Sequence, residues 1–269
     1  MLIPTGRENS LNKILVIKLG GSTLGSHDTI VADLVTLQKK GMLPVVVHGG
    51  ADMVTDWLGR LGISTRFVKG LRVTDAETLK VVVAVLAGLV NKELVAAIEA
   101  LGGKAIGLSG IDGGLLQAKV KDAEMGYVGE VVKVNPAPLT TILEAGFIPI
   151  VAPLSLQSPS ESGKKGSILN VNGDTAAGEI AAALSAEKLV FLTDVAGIYD
   201  SSGKLIPKLS LVEATNLLTS RIASGGMIPK IEACLRALPA VPITRIIDGR
   251  LPHALLKELE GRGEGTTIA

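Results

Sequence analysis

Apolar and polar positions along this chain fall into short buried runs, glycine turns and amphipathic stretches, in a regular succession. Lys13–Lys18 and Leu43–Val47 are apolar runs of strand length. Each leads through a Gly-Gly turn into a helical pattern. The first turn, Leu19-Gly20-Gly21-Ser22, precedes a predicted helix over His27–Lys40 with Ser26 as N-cap and Gly41 past its end; the second, His48-Gly49-Gly50, precedes a helix over Asp52–Leu61. Thr74-Asp75-Ala76-Glu77 has the spacing of a capping box and opens a long apolar helix to about Leu101, with Asn91, Lys92 and Glu93 as its polar interruption. Buried strands are predicted at Lys104–Leu108, Phe147–Val151, Lys188–Thr193 and Ile243–Asp248, and helices at Thr175–Leu184, Leu211–Ser220, Met227–Leu238 and near His253–Glu258. Leu115–Lys121 and Tyr127–Val134 alternate apolar with polar residues about Gly126, the pattern of an antiparallel hairpin. The Ser-, Gly- and Lys-rich run Ser155–Ser167 reads as a mobile loop near which the first half of the chain ends.

Composition sharpens the class. Hydrophobic residues at 47% and 32 glycines among 269 residues suit an α/β fold in which a parallel sheet is sandwiched between helices. A net charge of +1 and an aromatic content of 2%, with Trp57 the only tryptophan, argue against a nucleic-acid partner. The apolar stretch Val81–Val90 is short of a membrane span, and charged Arg7 and Glu8 stand where a signal peptide needs its apolar core. One cysteine, Cys234, allows no internal disulfide. A cytoplasmic protein is expected.

The candidate chemistry is cationic. Two Gly-Gly turns, each between a strand and a helix, put backbone N–H groups and helix N-termini on the carboxyl edge of a parallel sheet, a geometry that suits phosphate as well as a purely structural turn. Lys18 ends an apolar strand, where a buried ammonium is costly without an anion. Lys230, in Gly225-Gly226-Met227-Ile228-Pro229-Lys230, stands just inside a helix whose dipole disfavours a cation; it reads as an anion site or as a solvated lysine. Asp174, after Asn170-Val171-Asn172-Gly173, is a helix N-cap or an acid holding two lysines, and Arg72 can pair with a carboxylate. This set has no activated serine, no metal-ligand cluster and no clear general base. Phosphoryl transfer to a carboxylate needs none, since an ionised carboxylate is already a nucleophile. His48 reads as a packed histidine, His27 and His253 lack metal spacing, and Cys234 shares an apolar face with Ile231, Leu235 and Leu238.

Lys18-Leu19-Gly20-Gly21, His48-Gly49-Gly50, Gly70–Leu79 (GLRVTDAETL), Tyr127-Val128-Gly129, Asn170–Ala177, Leu192-Thr193-Asp194-Val195, Gly225–Lys230 and Ile247-Asp248-Gly249-Arg250 occur in the order found in the amino-acid kinase family, which the chain resembles from Ile14 to Ile268. The resemblance implies a three-layer α/β sandwich with a mainly parallel central sheet. It implies phosphorylation of the side-chain carboxylate of N-acetyl-L-glutamate by ATP, with magnesium carried by the nucleotide and no protein metal site. Lys18 and Lys230 would stabilise the transferring phosphoryl group and Asp174 would position both. Gly49, Gly50, Arg72 and Asn170 would bind the acetylated acid, and Gly20, Gly21, Thr193, Asp194 and Gly226 the phosphates and nucleotide. Residues 1–173 would form the acetylglutamate-binding and dimerisation half and 174–269 the ATP half. Ala51 in place of a third glycine and Gly173 in place of an alanine depart from the pattern. Gly107–Gly114 and Glu264-Gly265-Thr266 also resemble kinases of acetylated or carrier-bound aminoadipate, the alternative substrate class; a non-catalytic amino-acid-sensing module is the reading from another class. Val81–Val90, apolar nearly all round a helix, predicts a homodimer. The short segment before the first strand, together with Gly261 and Arg262, predicts insensitivity to arginine.

Overall fold

The computed structural model describes residues 14–20, 28–68, 70–159, 166–220 and 225–269. Strand β1 (Ile14–Leu19), helix α1 (Asp28–Lys39), β2 (Leu43–His48) and α2 (Ala51–Arg60) follow one another, and β1 and β2 pair in parallel. A two-stranded hairpin of β3 (Phe67–Val68) and β4 (Leu71–Arg72) comes next. Helix α3 (Ala76–Val83), a π-helical segment Ala84–Val90 and α4 (Asn91–Ala100) then form one continuous rod. The middle of the chain supplies β5 (Ala105–Ser109), β6 (Leu116–Val120), β7 (Val128–Val134), α5 (Ala137–Glu144), β8 (Ile148–Ala152), β9 (Leu154–Gln157) and β10 (Ile168–Val171). The remainder is α6 (Gly173–Ala183), β11 (Lys188–Thr193), β12 (Lys208–Leu209), α7 (Leu211–Thr219), α8 (Met227–Ala237), β13 (Ile243–Asp248), α9 (Ala254–Leu259) and β14 (Thr266–Ile268).

Eight strands make one sheet in the order β12-β14-β13-β11-β1-β2-β8-β5. From β13 to β5 all neighbours run parallel, and β14 is antiparallel to β13 and carries β12 with it. Strand β1 (ILVIKL) is buried along its whole length because helices cover both faces, so alternation in burial is absent while alternation in direction remains. Ile14 and Val16 join Val45, Val47, Phe191 and α6 in one core, whereas Leu15, Ile17 and Leu19 join Val46, Val190, α1 and α4 in the other. The two expected halves thus share a sheet, their strands meeting where β1 pairs with β11.

Several expectations need correction. The cap of α3 is Asp75, whose side chain accepts from Thr78 N; Thr74 is fully buried and bridges Gly126 instead. Of the stretch read as a mobile loop, Ser155–Gln157 belong to strand β9, which with β10 just beyond the stretch closes a small barrel with β6 and β7, and residues 160–165 lie outside the described residues. Pattern reading missed α5, whose Pro136 and Pro138 fall at its N-cap and first turn, where proline is compatible with a helix, and it missed the short β14. The rod Ala76–Ala100, whose most apolar 18-residue window has a mean hydropathy of 2.1, is long and apolar enough to cross a membrane. Counting only Val81–Val90 underestimated it, since Asn91, Lys92 and Glu93 interrupt without ending the helix. In the fold Val82, Val85, Leu86, Val90, Leu94 and Ile98 of the rod lie in the core.

The far end of the sheet is tied by charge. Glu258 in α9, 4% exposed, lies 3.0 Å from Lys188 Nζ at the start of β11 and 2.8 Å from Arg245 Nη2 in β13, while Arg245 also donates to Gly263 O. Glu258→Ala leaves two mostly buried cations without their anion and should cost about 3–5 kcal/mol in urea unfolding. A loss below about 1 kcal/mol would mean that water screens the triad as it does a surface pair.

Candidate active site

The direction alternation of β1 decides where Lys18 goes. It shares the face of Ile14 and Val16, so its side chain rises under the first turn of α6 rather than toward α1. Asn172 caps that helix, its Oδ1 accepting from Asp174 N (2.9 Å) and Thr175 N (3.1 Å). Asp174 is therefore not the N-cap, and its carboxylate is free for other partners. Helix α8 crosses α6 where Gly178 meets Ala233; a Cβ on Gly178 would stand 2.8 Å from Ala233 O. One turn earlier on each helix the same close approach brings Lys230 to Asp174. Asp174 Oδ1 lies 2.9 Å from Lys18 Nζ and Oδ2 lies 3.1 Å from Lys230 Nζ, with the carboxylate itself 5% exposed. Burial pushes the Asp174 carboxyl up, but attraction to Lys18 and Lys230 and their hydrogen bonds outweigh it, leaving the group below its ordinary range and ionised. One negative charge between two positive ones leaves a net positive charge at the carboxyl edge of the sheet.

A cavity of about 180 Å³ opens beside this cluster, lined by Lys18, Gly49, Gly50, Arg72, Asn170 and Asp174 among others. Arg72 is 7% exposed; its Nη2 donates to Ala51 O (2.9 Å) and Thr55 Oγ1 (2.7 Å), and its guanidinium stacks 4.7 Å from the centre of the Phe67 ring. Its Nη1 is buried with no partner among the described residues. A buried guanidinium nitrogen left so is costly unless a ligand oxygen completes it. Asn170 Nδ2 donates to Thr74 Oγ1 (3.1 Å), which fixes the side chain across the cavity from the α2 turn.

The glycine turns differ from expectation in one respect. Gly20 N–H donates to Leu192 O (3.0 Å) and Gly49 N–H to Leu19 O (2.9 Å), so these two amides extend the sheet ladder by a residue rather than facing a phosphate. Gly50 follows at φ 140°, where a Cβ would stand 2.8 Å from Leu86 Cδ2. Gly21 and His27 lie outside the described residues. Gly226 meets the cluster through its carbonyl, which accepts from Lys230 Nζ (3.1 Å). Thr193, 2% exposed, spends its hydroxyl on the turn after β11, donating to Val195 O (2.8 Å) and accepting from Val195 N; Asp194 beyond it is exposed. Neither lines the cavity.

His48, fully buried, is on the opposite face of the sheet from Lys18, its Nδ1 2.7 Å from Gly49 O and its Nε2 3.2 Å from Asn91 Nδ2. Burial lowers its pKa to about 4 against a rise from the Gly49 bond, with nearby Lys18 adding to the fall. His253 binds the buried Asp33 (2.7 Å). Cys234 is a core thiol that burial pushes up to about 12. Among the described residues no group of three or more His, Cys, Asp or Glu is placed to hold a metal ion. Pattern reading did not find Thr55, Phe67, Thr74 or Asn91, which act through contacts with residues distant in sequence. Asn172 left a trace, as an asparagine that a cap at Asp174 would not explain.

A mostly parallel sheet whose carboxyl edge carries two lysines on one aspartate describes a phosphoryl-transfer scaffold, and the sequence pattern of the amino acid kinase family matches residues 13–246. The chain belongs to the amino acid kinase family. It is 48% identical to the acetylglutamate kinase of Dehalococcoides mccartyi over 96% of this chain and 95% of that one, and 47% identical to the acetylglutamate kinase of a Nostoc strain over 95% and 87%. Among solved structures, smu.665 from Streptococcus mutans UA159 superposes with a TM-score of 0.82 at 28% identity, covering 96% of this chain and 99% of that one. N-acetylglutamate synthase from Neisseria gonorrhoeae, complexed with coenzyme A and N-acetyl-glutamate, also gives 0.82 at 30% identity, over 96% of this chain and 59% of that one.

The neutral imidazole has a consequence for stability. Unfolded His48 takes up a proton near pH 6.5 and folded His48 only near 4, so the unfolded chain binds more protons between these values. The stability is complete above about pH 6.5 and falls as pH drops, by about 2 kcal/mol at pH 5 and about 3 kcal/mol at pH 4. Denaturant unfolding of the wild type and His48→Asn at pH 7 and pH 5 measures the difference. Equal losses in the two proteins would place a charged imidazole in the fold.

Proposed function

We propose that this chain transfers the γ-phosphoryl group of ATP to the side-chain carboxylate of N-acetyl-L-glutamate, giving N-acetylglutamyl 5-phosphate and ADP in arginine biosynthesis. The observation that carries the reading is Asp174 bridging Lys18 and Lys230 beside a cavity lined by Arg72, whose Nη1 is buried without a partner among the described residues. The relatives named acetylglutamate kinase, covered over nearly their whole length, support the choice of acceptor.

In this reading a carboxylate oxygen of the substrate attacks the γ-phosphorus as the bond to the β,γ-bridging oxygen of ATP breaks, and ADP leaves with that electron pair. No proton moves at the nucleophile. Lys18 and Lys230 neutralise charge on the phosphoryl oxygens in the loose transition state, and Asp174 fixes both ammonium groups beforehand so that little reorganisation remains for the reaction. Arg72 takes the substrate's α-carboxylate, and Asn170 and the Gly49-Gly50 turn take the rest of the acetylated acid, Gly49 as cavity wall and Gly50 beside the side-chain carboxylate that receives the phosphoryl group. Residues 1–173 supply the acceptor side, and residues 174–269, with Thr193, Asp194 and Gly226, the nucleotide side; Gly20 and Gly21 are assigned to the phosphates in this reading. Magnesium arrives with the nucleotide and adds positive charge at its phosphates. The reading places the protein in the cytoplasm, where ATP is available.

ADP release measured with N-acetylglutamate, N-acetylaminoadipate and aspartate side by side tests the function, with turnover expected on the first. Preference for the aminoadipate derivative would move the assignment to the alternative class, and release with none of them would leave a binding module. Lys18→Ala and Lys230→Ala should each lower kcat by about 10²–10³ with the fold intact. Near-normal turnover in either would remove that lysine from the transition state. Arg72→Ala should weaken acetylglutamate binding while leaving ATP affinity unchanged in calorimetry.

The chain is also proposed to be a homodimer that arginine does not inhibit. Ala84 and Gly88 leave that part of the rod's outer face exposed, apolar and low, so that a second copy can approach closely there, with the exposed Lys92 and Glu93 one turn further on. Light scattering should give twice the chain mass, and activity should hold in millimolar arginine. A hexamer whose activity falls there would overturn both.

A further inference from the structure

We infer that His48 and Asn91 are positioning residues that aim the amide of Gly50 into the cavity beside Lys18. The identity of the cavity's ligand rests on the phosphoryl-transfer reading; the direction of the amide does not.

The hydrogen bonds around His48 allow one arrangement of protons. Gly49 O accepts only, so His48 Nδ1, 2.7 Å away, carries the proton and donates. Nε2 is then an acceptor, met by Asn91 Nδ2 at 3.2 Å. The orientation of the Asn91 amide is fixed in turn, because the same Nδ2 faces Ile150 O (2.8 Å) and Leu108 O (3.2 Å) while Oδ1 accepts from Lys92 Nζ (3.1 Å). A flipped amide would set oxygen against two carbonyls. Gly107 leaves the room this needs, since a Cβ there would overlap Asn91 Oδ1. Two fully buried polar side chains on an apolar face of the sheet cost more than the aliphatic residues around them unless they are paired; Asn91 Nδ2 shares its two hydrogens among Ile150 O, Leu108 O and His48 Nε2, and on the His48 side the bonds end on the carbonyl of Gly49.

That carbonyl belongs to the same peptide unit as Gly50 N–H. The described backbone has no cis peptide bond, and in a trans unit C=O and N–H point in opposite directions. Drawing Gly49 O to His48 therefore sends Gly50 N–H to the other side, toward the cavity that both glycines line. Gly49 N–H is tied to Leu19 O, so one end of the turn is anchored in the sheet and the other by His48. The π-helical segment contributes Leu86 and Val90 as the wall against Gly50, which admits no side chain there.

Nitrogen-15 spectra of the wild-type protein test the arrangement directly. His48 should be the Nδ1–H tautomer at neutral pH, and the Gly50 amide should shift on titration with inorganic phosphate. An Nε2–H tautomer, or a Gly50 amide that ignores phosphate, overturns the inference whatever the enzyme phosphorylates. Failure of wild-type ADP release with acetylglutamate would instead sink the functional reading and leave these two signals standing. Two substitutions add the kinetic arm. In His48→Asn the amide nitrogen takes the place of Nδ1 and can still hold Gly49 O; in His48→Gln the polar end reaches only the place of Nε2. We expect kcat in His48→Gln to fall about 10- to 100-fold below that in His48→Asn, with the KM for ATP alike, as for a misaimed transition-state donor. Equal losses, or the reverse order, would make His48 a space-filling residue and overturn the inference. Where a variant loses ATP binding altogether, the wild-type tautomer and amide response decide.

Discussion

The site depends on one buried carboxylate holding two ammonium groups. Without Asp174, Lys18 under α6 and Lys230 in the first turn of α8 would be like charges close together in a poorly solvated place, and each would turn away. With it, both ammonium groups are fixed, and the cluster keeps a net positive charge facing the cavity. Capping by Asn172 matters for the same reason. It satisfies the first amides of α6, so the aspartate need not turn back to do so.

The sheet distributes tasks by direction alone. Residues of β1 and β2 that point to the α6 side carry the charged site, and those that point to the α4 side carry the His48–Asn91 support. The Gly49-Gly50 turn lies at the edge between these two layers and is reached from both. Small residues make the approach possible: Gly178 lets α8 close on α6, Gly107 admits Asn91, and Gly50 lets the turn pass Leu86. Gly178 and Gly107 are needed for a contact with another element rather than for the local path of the chain, and Gly50, at φ 140°, for both.

Polar satisfaction separates scaffold from site. The amides of Gly20 and Gly49 and the hydroxyl of Thr193 are spent within the protein, and they hold strand ends and turns in place. Arg72 is held by Ala51, Thr55 and Phe67 through one nitrogen and one ring face, while its other terminal nitrogen is buried without a partner among the described residues. An arginine so restrained has little side-chain entropy left to lose when a carboxylate arrives.

What the sequence by itself determined was the succession of strands, turns and helices, because runs such as ILVIK and LPVVV, the Gly-Gly turns and the apolar helix faces are local signals with a fixed period. It also marked Lys18 and Lys230 as misplaced charges, since a cation ending an apolar strand or opening a helix is unfavourable on its own, and it offered Asp174 as a helix cap or their acid and Arg72 as a carboxylate's partner. Only the tertiary structure decided which of two roles each plays. Whether Asp174 caps a helix or binds lysines turned on Asn172, two residues away, and whether Gly20 and Gly49 offer amides turned on Leu192 O and Leu19 O across a strand pair. The partnership of His48 with Asn91, 43 residues on, left no local trace. Hydrogen bonds and ion pairs act over about 3 Å, and which groups come that close is set by strand register and helix crossing, neither of which is written in any one segment.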